Sequence, residues 1–335
     1  MKHEADFFLS GPDMTGRLRW WTRVLLLAMA AMALPSAAVA QDWPNGTVRL
    51  VVPFPPGGPT DVISRLLAQK LADRIGQPVI VDNKPGAAGN IGAEFVARAK
   101  PDGQTLLYGN SVLITNPHLV KGSLQPDELA PVFQVLTLSP VLVVHPSLPA
   151  RSPAELLALI KTRPRGVTCG SVGSVFTIGC ALLEHHAGRE VLRVPYRGQA
   201  PAMNALIGGE VDILFDTVAT SEQQVKAGRV KVLATAATRR ERGSMSSVPM
   251  MAETVPGFDL SAWQGILAPK GTPTAMVRRI NQQLQAVFDL PEVKARILEL
   301  GSEPVGGSPE TFASKIQEDA ARYGKVLRDL GIKPE

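Results

Sequence analysis

The chain has little of three things that mark common classes of protein. Its 335 residues include two cysteines, 5% aromatic residues and a formal net charge of only +5. Two cysteines are too few for a disulfide-rich scaffold, and a mild charge without a basic, aromatic stripe argues against a nucleic-acid partner. The adjacent His185 and His186 cannot point the same way on a helix, and no acidic or thiol groups cluster with them. We therefore expect no metal and no cofactor.

Long apolar runs are also missing, apart from a short one near the N-terminus. A stretch with three arginines precedes Val24–Leu34, and the small residues Ala38–Ala40 follow it. This pattern predicts a cleavable signal peptide over residues 1–40, with Met14 as an alternative start, and hence a periplasmic protein. The alternative is an N-terminal membrane anchor. The remaining chain of about 295 residues carries +4, because the leader carries +1, and should not itself span a membrane.

The two cysteines, Cys169 and Cys180, both lie in the part expected to be exported. Cys169 should end a strand and Cys180 should lie early in the following helix. An oxidising compartment permits a disulfide between them. Two buried free thiols are an equally open alternative, because spacing alone does not fix the distance between the two Cα atoms.

Two segments combine a strand, a Pro/Gly-rich loop and the start of a helix. They are LVVPFPPGGPTD at Leu50–Asp61, where Thr60 or Asp61 should cap the helix, and DNKPGAAGNIG at Asp82–Gly92. Glycine lets backbone N–H groups turn toward a ligand, and a helix N-terminus favours negative charge. Each loop alone would be read as a turn. Together they predict a site that binds a carboxylate through the backbone.

Strand and helix patterns alternate along the whole chain, which indicates an α/β fold. Two long extended runs, near Val135–Val144 and Asp259–Leu267, interrupt the alternation. They predict two crossings between two hinge-linked βα domains with a ligand cleft between them. The expected division is 41–142 plus 263–335 for domain 1 and 143–262 for domain 2, and the alternative is one larger doubly wound sheet. Three tail helices should return to pack on domain 1.

Several longer motifs resemble those of a known family. The residues VPFPPGGPTD, GQPVIVDNKPGAAGNIGAEFVARAKPDGQTLLYGN, VPYRGQAPAMNALIGGEVDILFD and GSEPVGGSPE are similar to the Bug family, the extracytoplasmic receptors of tripartite tricarboxylate transporters. The resemblance covers nearly the whole chain after the leader, in order and without large gaps. It implies a two-lobed periplasmic-binding-protein fold, type II-like, that closes on a small carboxylate. It also implies membrane permease subunits as partners.

The resemblance also implies which residues hold the ligand. In the first domain these are the ends of three strand-loop units: Phe54, Gly58, Thr60, Ala87, Ala88, Gly89, Asn90, Asn110 and Ser111. In the second domain they are Ser171, Gly173, Ser174, Thr177, Tyr196, Gly198, Ala200, Asp216 and Thr217. From the residues alone, Asp216 could instead cap the next helix, and Tyr196 could belong to the core.

The chain departs from the family around Ser171–Gly179, which should form a loop over Gly170–Thr177. Here apolar residues replace the family's small polar residues and histidine, most notably Phe176 and Ile178. We therefore expect a ligand with one carboxylate and an apolar or aromatic remainder. The alternative is that Phe176 and Ile178 pack in the core.

Other functions find less support in the sequence. Gly170–Gly173 does not match the G-x-S-x-G nucleophile elbow, and no histidine belongs to a recognisable triad. We expect a protein that is not an enzyme, and an exported hydrolase is the least favoured possibility. A receptor that signals to a membrane sensor kinase is the closer alternative to a transport receptor.

Overall fold

The computed structural model describes residues 43–237 and 245–332, so the predicted signal peptide lies outside the described residues. In chain order the strands are β1 (Val48–Val52), β2 (Val79–Asn83), β3 (Thr105–Asn110), β4 (Leu129–Leu138), β5 (Val141–Val144), β6 (Val167–Ser171), β7 (Val191–Pro195), β8 (Ile213–Asp216), β9 (Lys231–Thr235), β10 (Ala262–Pro269) and β11 (Ser302–Pro304). The helices are α1 (Pro59–Ile75), α2 (Asn90–Ala97), α3 (Val112–Leu119), α4 (Pro153–Thr162), α5 (Gly173–Ala187), α6 (Gln199–Ile207), α7 (Val218–Lys226), α8 (Met251–Thr254), α9 (Thr274–Phe288), α10 (Pro291–Glu299) and α11 (Pro309–Asp329).

The strands form two separate sheets. The first has the order β11-β4-β10-β3-β1-β2, with β1, β2 and β3 parallel and β10 antiparallel to both β3 and β4. The second has the order β7-β6-β8-β5-β9, with β6, β7 and β8 parallel and β5 antiparallel to its neighbours. The predicted α/β fold is therefore confirmed, and the single larger sheet is excluded. We call the part built on each sheet the first and the second lobe.

The chain passes twice between the lobes, after β4 and before β10. Pro140 separates β4 of the first sheet from β5 of the second, so the predicted boundary at residue 142 falls inside β5. Ala236, directly after β9, bonds to both crossings: its N–H donates to Pro140 O and its oxygen accepts from Leu260 N, each at 2.7 Å. The two crossings are therefore linked by hydrogen bonds through Ala236.

The three C-terminal helices pack on the first lobe, as predicted. Buried side chains of α9 and α10, including Ile280 and Ile297, share one core with β1, β4 and α1. On α11, Phe312 packs edge-to-face against Trp263 of β10, with ring centroids 5.1 Å apart. These contacts bury the one apolar face that each amphipathic helix carries.

Helix boundaries follow local capping chemistry. Ser152 and Ser308 cap α4 and α11 by accepting hydrogen bonds from Glu155 N and Thr311 N, and a proline follows each cap. At α1 the predicted cap was wrong. The N-cap is Gly58, and Thr60 and Asp61 lie inside the first turn because Pro59 already has the fixed φ of a helix start.

None of the helices within the described residues is both long enough and apolar enough to cross a membrane.

Candidate functional site

The first loop, Pro53–Gly58, follows β1 and is held by a polar network beneath it. Gly57 N donates to Asp61 Oδ2 at 3.0 Å, and Asn83 Nδ2 donates to both Phe54 O and Asp61 Oδ1, at 3.1 and 2.9 Å. Arg65 binds both oxygens of Asp61, at 2.9 and 3.0 Å. The pKa of Asp61 is lowered to about 2, mainly by its hydrogen bonds with the Arg65 guanidinium. The loop is therefore fixed before any ligand arrives.

The second loop, Gly86–Asn90, has an unusual backbone. Four consecutive residues have positive φ: Gly86 at 131°, Ala87 at 45°, Ala88 at 51° and Gly89 at 91°. For alanine this conformation costs about 1–2 kcal/mol per residue, and such strain is found mostly at functional sites. Successive backbone N–H groups in a turn of this kind form a concave site for an anion. The N–H groups of Ala87 and Ala88 have no hydrogen-bond acceptor among the described residues.

Neighbouring groups hold the second loop in this shape. Asn116 Nδ2 of α3 donates to Ala88 O at 3.2 Å, and Asn90 Oδ1 accepts from Leu124 N at 3.0 Å. The two loops also touch, because a β-carbon at Gly89 would lie only 3.6 Å from the Phe54 ring. The structure thus brings together the two segments that the sequence predicted as one carboxylate site.

The third strand end of the first lobe meets β10. Asn110 pairs with Gln264 across the sheet, and Gln264 Nε2 lies 3.4 Å from Thr60 Oγ1. Ser111 is buried, and its Oγ accepts from Trp263 N at 2.8 Å. The side chain of Ser111 therefore ties β3 to β10, whereas Asn110 and Thr60 border the two loops.

In the second lobe, the predicted residues after β6 are also adjacent. Ser171 Oγ lies 2.5 Å from Thr177 Oγ1, which also bonds to Gly173 O, and Ser171 O accepts from Tyr196 N at 2.9 Å. The predicted loop over Gly170–Thr177 was wrong. Helix α5 already begins at Gly173, so Ser174 and Thr177 lie in its first two turns.

Because α5 begins early, the direction of the apolar side chains in this segment is clear. Ile178 is 1% exposed and lies in the core, and the half-buried Phe176 packs against the same core. The helix turns these side chains inward, as the alternative in the sequence analysis stated. The expectation of an apolar remainder on the ligand therefore loses the observation on which it rested.

Two further segments complete the carboxyl edge of the second sheet. Gly198, with φ of 153°, precedes α6, which carries Ala200 on its exposed first turn. Tyr196 is half-buried against the core of this lobe, and burial, with the charge of Glu210, raises its pKa. The amide of Gln199, a residue that the sequence analysis did not select, has both polar atoms buried without a partner among the described residues.

Asp216 ends β8 but does not cap the next helix. The N-cap of α7 is Thr217, whose Oγ1 accepts from Thr220 N at 3.3 Å. Asp216 is fully buried, and its Oδ2 accepts from Ser221 Oγ at 2.9 Å. Burial is the main cause that raises the pKa of Asp216, against the opposing hydrogen bonds from Thr220, Thr217 and Ser221.

The cysteines form a disulfide, so the first of the two alternatives holds. Cys169 on β6 and Cys180 on α5 have Cα atoms 6.0 Å apart and are both fully buried. The bond fastens α5 to its own strand directly behind Ser171 and Thr177.

The predicted residues thus lie at the carboxyl ends of parallel strands in each sheet, where open α/β sheets bind ligands. Sequence reasoning missed four supporting residues, Asn83, Asn116, Gln199 and Gln264. Only Asn83 had a usable signal, because it directly ends a strand beside the predicted second loop.

Three comparisons describe what the chain is similar to. The family model described as "Tripartite tricarboxylate transporter family receptor" matches residues 63–332. Protein BugT of Bordetella pertussis is 32% identical over 319 residues, covering 92% of this chain and 96% of BugT. The structure "R. palustris Rpa4515 with adipate" is 34% identical with a TM-score of 0.76, covering 88% of this chain and 100% of that one. MatC (Rpa3494) from Rhodopseudomonas palustris "with bound malate" is 31% identical with a TM-score of 0.74, covering 85% and 100%.

Proposed function

Because the chain belongs to the Bug family of tripartite tricarboxylate transporter receptors, we propose that it captures a small carboxylate between its two lobes and delivers it to a membrane permease. The protein acts outside the cytoplasm and returns its ligand unchanged, as a receptor rather than an enzyme. The observation that carries this proposal is the second loop, in which two alanines hold positive φ and present free N–H groups beside the first loop.

In the proposed site the two lobes contact different ends of the ligand. Backbone N–H groups of Ala87 and Ala88, the first turn after Gly58 and the side chain of Asn110 hold one carboxylate. The second lobe closes over the other end of the ligand with Ser171, Thr177 and Thr217, and with the backbone of Gly173 and Gly198. The other predicted site residues form the two walls of the cleft, one on each lobe. We place the domain boundaries at the two crossings.

A site of this kind suits an anion because it buries no full opposite charge. Arg65, the cation beneath the first loop, is already bound to Asp61 at 2.9 Å. Backbone N–H groups stabilise a carboxylate by charge-assisted hydrogen bonds, each contributing about 1.5–3 kcal/mol. A few such bonds reach micromolar affinity, about −8 kcal/mol.

The ligand class follows from the relatives and from the second lobe. Two related solved structures hold adipate and malate, both dicarboxylates. The second lobe faces the site with hydroxyl groups and keeps Ile178 in its core. We therefore propose a small aliphatic carboxylate of adipate or malate size as the ligand.

Isothermal titration of the purified protein with adipate, malate, succinate and benzoate tests this proposal. We expect micromolar binding of at least one aliphatic carboxylate and a higher melting temperature in its presence, because a ligand that binds only the folded state stabilises it. Adipamide and 1,6-hexanediol serve as controls, because they keep an aliphatic chain of similar length and carry no carboxylate. The proposal fails if neither adipate, malate nor succinate binds to folded protein.

Delivery to a permease requires its own experiment. Vesicles that carry the membrane subunits should take up radiolabelled ligand only when the purified receptor is added. Uptake that is independent of the receptor would contradict the proposed partner.

A further inference from the structure

A pocket lies beside the two crossings, away from the carboxyl ends of the parallel strands. It has a volume of about 570 Å³, within the range of small-molecule sites. We call it the crossing pocket. It is lined by Gln134, Thr137, Ser139, Ala237, Ser261, Glu303, Pro304, Val305, Thr311, Ser314, Lys315 and Glu318. None of these residues is a proposed contact of the carboxylate site.

The charges in the crossing pocket are unbalanced. The one cation in its lining, Lys315, is bound to Asp319 at 2.9 Å, and Asp319 also accepts from Arg322 at 2.8 Å. Arg322 in turn pairs with Asp259 at 3.2 Å. Two cations and two carboxylates thus neutralise each other in one closed network.

The two remaining acids of the lining are outside this network. Glu303 of β11 and Glu318 of α11 form no salt bridge with any residue in 43–237 or 245–332. Both side chains are exposed to solvent at the pocket. The pocket therefore presents two uncompensated negative charges.

A buried amide adds an acceptor to the wall of the pocket. Gln134 is only 5% exposed, and its Nε2 donates to Thr137 Oγ1 at 3.0 Å. Its Oε1 has no hydrogen-bond donor among the residues that the structure describes. This oxygen keeps some contact with solvent, unlike the fully buried unpaired side-chain atoms of the described residues, so it can accept from the N–H groups of an occupant of the pocket.

We propose that the crossing pocket is an accessory site for an organic cation that carries a primary ammonium or guanidinium group. Such groups offer three to five N–H donors and positive charge, which match two carboxylates, one amide oxygen and the surrounding hydroxyls. The occupant contacts both crossings, because Ser139 lies between β4 and β5 and Ser261 directly precedes β10. The inference does not depend on the identity of the carboxylate.

Calorimetric titration with putrescine, spermidine and agmatine tests this site. The test variant is Glu303→Gln with Glu318→Gln, which removes both free charges and keeps their size. The matched control is Asp73→Asn with Glu190→Gln, which removes two exposed acids elsewhere. We expect at least one amine to bind the wild type and the control equally, and the test variant at least tenfold more weakly.

Two results would overturn the assignment. One is that none of the three amines binds the wild-type protein at low ionic strength. The other is that the Glu303→Gln, Glu318→Gln variant binds as tightly as the control. Comparing agmatine with putrescine separates a site for guanidinium groups from one for simple ammonium groups.

Discussion

Gly301 and Ala219 join the two lobes by a close backbone contact. A β-carbon built on Gly301 would lie 2.8 Å from Ala219 N and 3.0 Å from Val218 Cβ. Gly301 directly precedes β11 of the first sheet. Ala219 lies in the first turn of α7, two residues after the proposed ligand residue Thr217. The lobes can take up the observed arrangement only because residue 301 has no side chain.

Replacing Gly301 by alanine should therefore weaken ligand binding by obstructing closure. Gly301 also has a φ of +67°, so alanine adds backbone strain of about 1–2 kcal/mol whether the lobes are open or closed. Gly271→Ala is the matched control, because Gly271 has a φ of +86° and no atom within 4 Å of the added carbon. We expect similar losses of stability in both, but roughly tenfold weaker carboxylate binding, about 1.4 kcal/mol, in Gly301→Ala alone. Equal affinities in the two variants would refute the contact's role.

The hydrogen bond from Asn116 to Ala88 should position the second loop. Asn116→Asp keeps the shape but removes the donor and places an acceptor beside Ala88 O. We expect carboxylate affinity to fall by about tenfold or more, because the strained loop loses one of the two side-chain contacts that hold it. Asn281→Asp is the control, since Asn281 Nδ2 donates to Val132 O and Gly307 O, at 2.9 Å each, far from the loop. The control should lose stability and keep its affinity. If Asn116→Asp also lost stability and kept its affinity, Asn116 would support only the fold and the account would be contradicted.

Asp61 should stabilise the protein in a pH-dependent way. Its folded pKa of about 2 lies below the ordinary value of 3.8, so its contribution is present above about pH 4 and is lost as the pH falls through 2. At pH 7, Asp61→Asn should lower the free energy of unfolding by about 1–2 kcal/mol, allowing for the solvent exposure of Arg65. Urea unfolding at several pH values measures this difference. It should nearly vanish near pH 2, and Asp73→Asn, which removes an exposed acid from the same helix, is the control. A difference that stays constant with pH would contradict the ion pair's role.

The disulfide should stabilise the second lobe. The closed loop between Cys169 and Cys180 is short, with a sequence separation of 11. Replacing both cysteines by alanine should cost about 2–3 kcal/mol, mostly by releasing the unfolded chain. Urea unfolding of the wild type in strong reductant should match that of the variant. Unchanged stability in both would mean that the bond does not form in solution.

Much of the fold could be predicted because strand and helix periods alternate regularly, each followed by glycine or proline. Helix α3, Val112–Leu119, was missed for a physical reason. It is packed on more than one side, with Leu113, Ile114 and Asn116 all buried, so it has no polar face to reveal a helical period. It also contains Pro117, which argues against a helix interior. The start of α5 was misplaced because its N-cap, Val172, makes no side-chain cap.

The candidate site could be predicted only in part. The two glycine-rich loops are local signals, and the structure brings them into contact at Gly89 and Phe54. The groups that hold them, such as Asn116 and Gln264, come from distant parts of the chain. Their roles depend on packing, which a single sequence does not show. The same holds for Ile178, whose direction depended on where α5 begins.

The central claim is that backbone N–H groups of the second loop hold the carboxylate. The most direct measurement follows the amide resonances of Ala87 and Ala88 in ¹⁵N-labelled protein during titration with adipate or malate. The account predicts large downfield shifts of both resonances that saturate together with binding. The reason is that the carboxylate accepts hydrogen bonds from two N–H groups that have no acceptor among the described residues. A carboxylate that binds tightly without moving these two resonances would contradict the account.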